Sequence, residues 1–361
     1  MSMPIRALPF GLGLIEGFYG RGWDERDRRD CLEFLARSGY HYYVYAPKGD
    51  PCLRKHWRGR WSADAERRMH DISAQCARQQ LLWGTGLSPL GLVEDPSPAN
   101  RQSLRDKVRY LDGFGTQILC ILFDDMPRGV DCLGELQCEL VQEVLSVTTT
   151  PHVLVCPSYY SADPILEKLF GSMPPRYWET LGLTLPPEVG LFWTGEQVCS
   201  RSYDEESLRR IAGSFGRLPV LWDNYPVNDG AKASRFLHLD AFRNRPASLA
   251  RLSTAHFVNP MNQCWLSRIP LATLPQLYRD GACYEPDVAF QRAADELCGR
   301  ELGVLLAEDL GFFQREGLAS LTADLRRMLV DRYGRHDSPY AREILDWLAN
   351  GYAFDPACLT D

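Results

Sequence analysis

The sequence contains no apolar run long enough to cross a bilayer, and its start, MSMPIRALPFGLGLIEGFYG, has one arginine and no sustained apolar stretch. A transmembrane helix needs about 20 consecutive apolar residues. A secretory signal peptide needs a positively charged start followed by an apolar core. The sequence therefore predicts neither a membrane-spanning nor a secreted protein.

Disulfide and metal-binding patterns are also missing. Although the chain has 12 cysteines, no two of them form a C-x-x-C pair, and no cluster of cysteine and histidine has the spacing of a zinc site. Cys120, Cys156 and Cys199 lie inside apolar runs, where cysteine usually behaves as a small hydrophobic residue. A reduced, cytoplasmic location is the expectation.

An excess of positive charge is absent too. Lys and Arg number 40 against 47 Asp and Glu, which gives a net charge of −7. This balance excludes a general attraction for nucleic acid or for anionic membranes, so the partner should be neutral or held at a local site. The hydrophobic fraction of 45% is that of a globular chain, and the length suffices for one large barrel with a small appendage or for two ordinary domains.

The chain does contain a regular alternation of short apolar runs and amphipathic segments. The apolar runs predict strands at Leu12–Glu16, Tyr42–Ala46, Leu81–Gly84, Ile118–Phe123, His152–Cys156, Gly190–Thr194, Pro219–Trp222 and Thr254–Val258. The amphipathic segments predict helices at Asp24–Arg37, Ala63–Arg78, Ser103–Leu111, Leu133–Leu145 and Glu205–Ile211. Ser62 and Asp204 are predicted N-caps.

Eight such βα alternations over about 250 residues predict a (β/α)8 barrel. A doubly wound sheet is the structural alternative, but its first turn should be glycine-rich, and GFYGRGW does not match G-x-G-x-x-G. Polar residues follow the predicted strands, and in a barrel those strand ends meet at one mouth. They are Glu16, Lys48, Asp124, Tyr160, Asp223, Asn224 and Asn259. We predict a catalytic barrel over residues 1–270 and a helical bundle over residues 271–361, where strand patterns stop.

The stretch CILFDDM places Asp124 and Asp125 at the end of a buried strand. Two adjacent carboxylates repel each other, and burying them is costly unless they are paired or used. A helix N-cap with a solvated neighbour is the structural alternative. Two carboxylates that hydrolyse a glycosidic bond usually stand apart on different strands. An adjacent pair fits better if the substrate's own 2-acetamido group supplies the nucleophile.

Other segments that follow predicted strands have two interpretations each. In WDNYPVND, Trp222 is either a core residue or a flat face for a sugar ring. The Asn and Asp residues could bind hydroxyls, but for this segment taken alone an Asx-rich turn around Pro226 is the better explanation. Asn259 in VNPMNQ, Lys48 in YAPKGDP and Tyr160 in CPSYY are either ligands or ordinary turn, solvated and packing residues. Their coincidence at successive strand ends predicts one polar pocket.

These segments, together with GLIEGFYGRGW and LFWTG, resemble family 84 of the glycoside hydrolases in order and approximate spacing over residues 11–270. The resemblance implies a retaining β-N-acetylglucosaminidase that forms an oxazoline intermediate, without a metal or organic cofactor, on GlcNAc-bearing glycosides or glycoproteins. It implies that Asp124 orients the acetamido group and that Asp125 is the acid and then the base. The matching sugar-binding positions are Gly17, Lys48, Tyr160, Trp222, Asn224, Asp229 and Asn259, and Cys156 and Thr194 match the pocket floor.

The resemblance has departures and leaves alternatives open. Tyr159 stands where many members have Glu or Gln, which changes the expected rim of the pocket. The helical region is short; in the family it can complete the substrate groove or form a homodimer interface. Removal of GlcNAc from Ser or Thr of proteins is the first hypothesis. The alternatives are a hexosaminidase for glycan or cell-wall fragments and a non-catalytic sugar-binding protein, which is disfavoured because every expected catalytic position is filled.

Overall fold

The computed structural model describes residues 4–126 and 131–359. Eight parallel strands form a closed barrel in chain order, and β8 pairs with β1 to close it. The strands are β1 (Leu12–Ile15), β2 (Tyr42–Tyr45), β3 (Leu82–Leu87), β4 (Ile118–Leu122), β5 (His152–Cys156), β6 (Gly190–Trp193), β7 (Val220–Asp223) and β8 (Ala255–Val258). The predicted (β/α)8 barrel is confirmed.

Helices surround the barrel and continue beyond it. Those between the strands are α1 (Glu25–Arg37), α2 (Ala63–Arg78), α3 (Pro98–Asp112), α4 (Leu133–Leu145), α5 (Pro164–Phe170), α6 (Tyr177–Thr184), α7 (Glu205–Phe215) and α8 (Leu249–Leu252). After β8 come α9 (Cys264–Asp280), α10 (Pro286–Cys298), α11 (Arg300–Gly311), α12 (Ala323–Gly334) and α13 (Pro339–Leu348). None of the helices in the described ranges is both long and apolar enough to span a membrane.

The strand predictions agree with the structure to within a residue or so at most ends, and β3 runs three residues further than expected. Both faces of these strands are covered by protein, so the strands are apolar throughout. They could therefore be predicted from short apolar runs, although polar and apolar residues do not alternate along them. The predicted caps are confirmed, because Ser62 accepts a hydrogen bond from the Ala65 N–H and Asp204 accepts one from the Ser207 N–H. Between the strands the structure adds α5, α6 and α8, which were not predicted.

The helices after β8 form a second apolar core. It includes Leu306, Phe313, Tyr333 and Trp347 from this region, and Leu237 from the segment between β7 and β8. Helix α9 spans position 270, so the two cores share an element there. The division of the chain at that residue stays a prediction.

A buried carboxyl joins the helical region to the barrel. Glu343 of α13 accepts hydrogen bonds from the backbone N–H of Trp265 at 3.1 Å and of Leu266 at 2.8 Å. Both N–H groups belong to the first turn of α9, where no intrahelical acceptor is available. Helix α9 begins six residues after β8, so this contact fixes the helical region against the mouth of the barrel.

Candidate active site

The carboxyl ends of the strands surround a pocket that opens to solvent. Every site residue expected from the sequence lines this one pocket: Gly17, Lys48, Asp124, Asp125, Cys156, Tyr160, Thr194, Trp222, Asn224, Asp229 and Asn259. The barrel brings them together because the ends of parallel strands in a closed ring face a common axis.

Asp124 follows β4 and is paired with a buried lysine. The Lys48 ammonium lies 2.5 Å from Oδ2 of Asp124, and the side chains are 1% and 8% exposed. Lys48 also donates to the Ser88 hydroxyl at 3.3 Å. No donor in the described part of the chain reaches Oδ1 of Asp124. The Asp124 carboxylate is thus neutralised on one oxygen and keeps the other as a buried acceptor, which is costly unless a ligand fills it.

Asp125 has a different environment. Its Oδ1 accepts a hydrogen bond from the Tyr160 hydroxyl at 3.0 Å, and its Oδ2 accepts one from the Tyr19 hydroxyl at 3.1 Å. Burial and the neighbouring Asp124 charge raise the pKa of Asp125, while Lys48 and other donors oppose the rise. One carboxyl of the pair is ion-paired and the other is pushed towards its protonated form, which is the division that an acid/base pair requires.

Hydrogen bonds between side chains join the ends of β1, β7 and β8 along one wall. The Trp222 indole N–H and the Asn259 amide both donate to Oδ1 of Asn224, at 2.9 and 3.0 Å. Asn259 in turn accepts from the Gly17 N–H at 3.1 Å, and Asn224 donates to the Val198 carbonyl at 2.9 Å. These bonds orient the aromatic face and the amides before any ligand is bound.

The remaining expected residues close the outer side and the floor. Asp229 accepts from the Tyr19 N–H at 2.7 Å, which links the loop after β7 to the loop after β1. Thr194 donates to the Gln197 carbonyl at 3.0 Å. Cys156 is buried at the end of β5, and burial raises the pKa of its thiol. These small side chains leave room for a compact group on the floor of the pocket.

Two polar strand-end residues do not line the pocket. Glu16 forms a buried ion pair with Arg28 at 2.7 Å and accepts a hydrogen bond from Tyr43. Asp223 forms a buried ion pair with the Arg245 guanidinium at 2.7 Å and lies 3.2 Å from Nε2 of His256. The expectation that every polar strand end faces one pocket is therefore wrong for these two, which form internal ion pairs instead.

Tyr159 is also placed differently from the expectation. Its side chain is 3% exposed and its hydroxyl donates to the Gly171 carbonyl at 2.6 Å. The ring packs edge-on against Tyr177. Tyr159 is therefore a packing residue beside the pocket and does not form its rim.

The pocket has further lining residues that sequence reasoning missed: Tyr19, Val198, Cys199, Val227 and Cys358. Tyr19 lies in the same motif as Gly17, so its hydroxyl, three residues beyond a strand-end acid, was a usable signal. Cys358 lies in the segment after α13, far from every motif, and only the tertiary structure places it here. No group of His, Cys, Asp or Glu suited to a metal ion occurs in residues 4–126 and 131–359.

Comparison with known proteins agrees with this geometry. The profile of the β-N-acetylglucosaminidase family matches residues 12–308. The protein O-GlcNAcases of Rattus norvegicus and Mus musculus are each 25% identical to the chain over 279 residues. These matches cover 75% of this chain and 30% of each relative, so the chain spans less than a third of the length of these relatives.

A solved structure extends the similarity to almost the whole chain. A variant of the O-GlcNAc hydrolase of Thermobaculum terrenum superimposes with a TM-score of 0.78 and is 27% identical. The match covers 96% of this chain and 81% of that one. The helical region after the barrel is therefore included in the similarity. The chain belongs to the β-N-acetylglucosaminidase family, family 84 of the glycoside hydrolases.

Proposed function

We propose that this protein is a retaining exo-β-N-acetylglucosaminidase that removes terminal GlcNAc, including O-GlcNAc on Ser or Thr of proteins. The observation that carries the proposal is the unequal pair at the end of β4. Asp124 is ion-paired with Lys48 and has a free acceptor oxygen, whereas burial raises the pKa of Asp125. The names of the relatives, protein O-GlcNAcase and O-GlcNAc hydrolase, support the choice of substrate.

In the first step, Oδ1 of Asp124 accepts the N–H of the 2-acetamido group and orients it. The acetamido carbonyl oxygen then attacks the anomeric carbon, the bond from that carbon to the leaving oxygen breaks, and Asp125 gives its proton to the leaving oxygen. Asp124 is ion-paired with Lys48, so the growing positive charge on the acetamido group faces a carboxylate. The product of this step is an oxazoline in its protonated form, which keeps the N–H proton and its positive charge against the Asp124 carboxylate.

In the second step, the Asp125 carboxylate removes a proton from a water molecule. The water oxygen attacks the anomeric carbon, the bond to the oxazoline oxygen breaks, and the acetamido group is restored. Two displacements at one carbon retain the β configuration, and the same residue acts as acid and then as base.

Roles for the other pocket residues follow from their positions. We assign the sugar hydroxyls to Gly17, Lys48, Asn224, Asp229 and Asn259, and the acetamido carbonyl or oxazoline to Tyr160. Trp222 forms a wall for the sugar and acetamido group, and Cys156 and Thr194 form the floor beneath the acetyl methyl.

Aryl glycosides test this proposal. The chain should hydrolyse 4-nitrophenyl β-GlcNAc and leave the β-glucoside intact, because the latter has no acetamido nucleophile; the β-GalNAc analogue tests recognition of the outer hydroxyls. Comparable cleavage of the β-glucoside would overturn acetamido participation. No cleavage of any glycoside, with GlcNAc binding retained, would favour the sugar-binding alternative.

Acceptor preference separates the two enzymatic alternatives. We expect release of GlcNAc from an O-GlcNAc-modified protein to exceed release from chito-oligosaccharides, measured as kcat/KM on the same preparation. The opposite order would favour a hexosaminidase for glycan or cell-wall fragments.

Location and assembly belong to the same proposal. The described cysteines form no disulfide, which fits a reducing compartment, and we propose the cytoplasm. We also propose a homodimer through the helical region. Sedimentation equilibrium tests it; a monomer at high concentration would contradict it.

A further inference from the structure

Tyr19 connects the two acidic sides of the pocket. Its hydroxyl donates to Oδ2 of Asp125 at 3.1 Å, while its backbone N–H donates to Asp229 at 2.7 Å. Its carbonyl accepts from the Asn262 amide at 2.7 Å. Three separate hydrogen bonds therefore hold one residue, and the ring is 3% exposed. Because hydrogen bonds at its N–H and its carbonyl fix the backbone of Tyr19, the phenol can hold the Asp125 carboxyl in one orientation.

Arg54 contacts the backbone of Asp125 from outside the pocket. Its Nη2 donates to the backbone carbonyl of Asp125 at 2.8 Å, and its guanidinium lies 5.5 Å from the centre of the Tyr19 ring. Arg54 is 9% exposed and does not line the pocket. Its charge acts on Asp125 without contact with a sugar.

The backbone of Asp125 needs such support. Its φ is +51°, in the left-handed region that non-glycine residues rarely adopt. The Arg54 hydrogen bond to the carbonyl fixes this conformation, and the Tyr19 and Tyr160 hydroxyls fix the side chain on both oxygens. Asp125 is therefore held at three points.

We propose that Tyr19 and Arg54 are positioning residues that orient Asp125 and limit its affinity for the proton, so that one carboxyl can act as acid in the first step and as base in the second. This inference rests on the role proposed above for Asp125. An acid buried beside another carboxylate would hold its proton too tightly to act as a base. The Tyr19 phenol and the Arg54 guanidinium favour the ionised form of Asp125 and so oppose the effect of burial on its protonation.

Other groups also face Asp125 and contribute to its titration. Asp124 and the burial of the site raise its pKa, whereas Lys48, Arg54 and Tyr160 lower it. The Cys156 thiol is near both acids, and Cys358 is near Tyr19. Burial also raises the pKa of Tyr19, so the phenol stays protonated and remains a donor throughout the working pH range.

The decisive variant is Tyr19→Phe, which removes one donor to the carboxylate and keeps the ring. We expect the alkaline limb of the kcat/KM profile to move to higher pH by about one unit, because Asp125 keeps its proton longer. With an activated aryl substrate, kcat should fall at acidic pH, because the second step needs the carboxylate. Tyr42→Phe is the matched control: that hydroxyl donates to the Pro9 carbonyl at the other end of the barrel, so the limb should not move.

Arg54 is tested with a pair of variants. Arg54→Lys retains the charge and should leave the limb near its wild-type position, whereas Arg54→Met should move it upward, as Tyr19→Phe does. If Arg54→Met does not fold, the tyrosine variant still decides. A loss of activity in Tyr19→Phe that is equal at every pH, with the limb unmoved, would show a structural role only and overturn the proposal.

A measurement without turnover separates this inference from the proposed function. The carboxyl carbon of Asp125, followed by 13C NMR and assigned by its absence in Asp125→Asn, should titrate at higher pH in Tyr19→Phe than in the wild type. This holds even if no glycoside is hydrolysed. The same titration midpoint in both proteins would overturn the inference, whereas absence of β-GlcNAc hydrolysis in the wild type would overturn the proposed function.

Discussion

The Trp222 ring occupies the space beside Gly17 that a side chain would need. A Cβ atom on Gly17 would lie 2.3 Å from Cζ2 of Trp222, closer than real Cβ contacts allow. The Gly17 N–H binds Asn259, and Asn259 shares the Asn224 carbonyl oxygen with the Trp222 indole. The absence of a side chain at residue 17 is therefore a requirement of the pocket wall.

Gly17→Ala should consequently displace Trp222 and weaken sugar binding. We expect overpacking to cost about 1–3 kcal/mol of unfolding free energy and to raise the Kd for a GlcNAc-type inhibitor more than tenfold, measured by urea unfolding and calorimetry. Gly22→Ala is the control, because a Cβ atom there meets nothing within 4 Å. Unchanged inhibitor affinity in Gly17→Ala would show that the wall tolerates movement of the ring.

The two acids should respond differently to the leaving group. Asp125→Asn should lower kcat/KM by about 10²–10⁴-fold for a poor leaving group such as phenol and much less for 4-nitrophenol, because only poor leaving groups need protonation. Asp124→Asn should lower it for every aryl substrate, because participation of the acetamido group fails for all. A series of aryl β-GlcNAc substrates measures both. Equal slopes for the two variants would contradict the assigned roles.

The Asp223–Arg245 pair should matter for stability more than for chemistry. Burial opposes ionisation of Asp223, but Arg245 and His256 keep its pKa below the usual range. Arg245→Met removes the guanidinium from the buried Asp223 carboxylate and leaves it beside His256, so we expect a loss of about 3–5 kcal/mol of unfolding free energy in urea titrations.

A surface ion pair is the control for this variant. Arg209 lies 2.6 Å from Glu205 on α7 and its side chain is 63% exposed. Arg209→Met should cost far less than Arg245→Met, because exposed pairs are screened by solvent. Similar losses in both variants would mean that the buried pair is not fully desolvated.

Stability should fall as pH rises through the range in which Glu343 loses its proton. Burial raises the pKa of Glu343 to about 8 in the folded chain, against the pull of the Leu266 and Trp265 N–H groups. The unfolded value is about 4.3, so the folded chain binds this proton more tightly. The contribution of protonated Glu343 to the free energy of unfolding is full below about pH 4.3 and is lost as pH approaches 8. The slope of this loss is up to about 1.4 kcal/mol per pH unit.

Glu343→Gln should remove that slope, because an amide does not titrate there. Urea unfolding between pH 5 and pH 8 measures the difference between the variant and the wild type. Asp346→Asn is the control, since Asp346 is an exposed carboxylate on the same helix. Parallel pH profiles for wild type and Glu343→Gln would contradict the assignment.

Much of the fold could be predicted because its strands are apolar on both faces. The predicted and observed bounds of β5 are identical, and α2 and α4 also match. The run Pro164–Phe170 was missed because seven residues are too few to show a helical period, and Pro98 was missed as a helix start although proline fits the first turn. Local pattern locates long elements and fails on short ones.

The candidate site was predictable where a motif ends a strand, as with Asp124, Asn224 and Asn259. The same rule failed for Glu16 and Asp223, because the arginines that pair with them, Arg28 and Arg245, come from other segments. Whether a polar strand-end residue faces a ligand or an internal partner depends on which side chains meet it. That information is not local in the chain.

By itself the sequence determined the alternation of eight strands with helices, the adjacent acids and the motifs of the family, because each of these is a pattern among neighbouring residues. Only the tertiary structure decided that Tyr19 and Arg54 hold Asp125, that Cys358 reaches the pocket and that Glu343 anchors the helical region. Those contacts join residues far apart in the chain, and their geometry exists only once the barrel has closed.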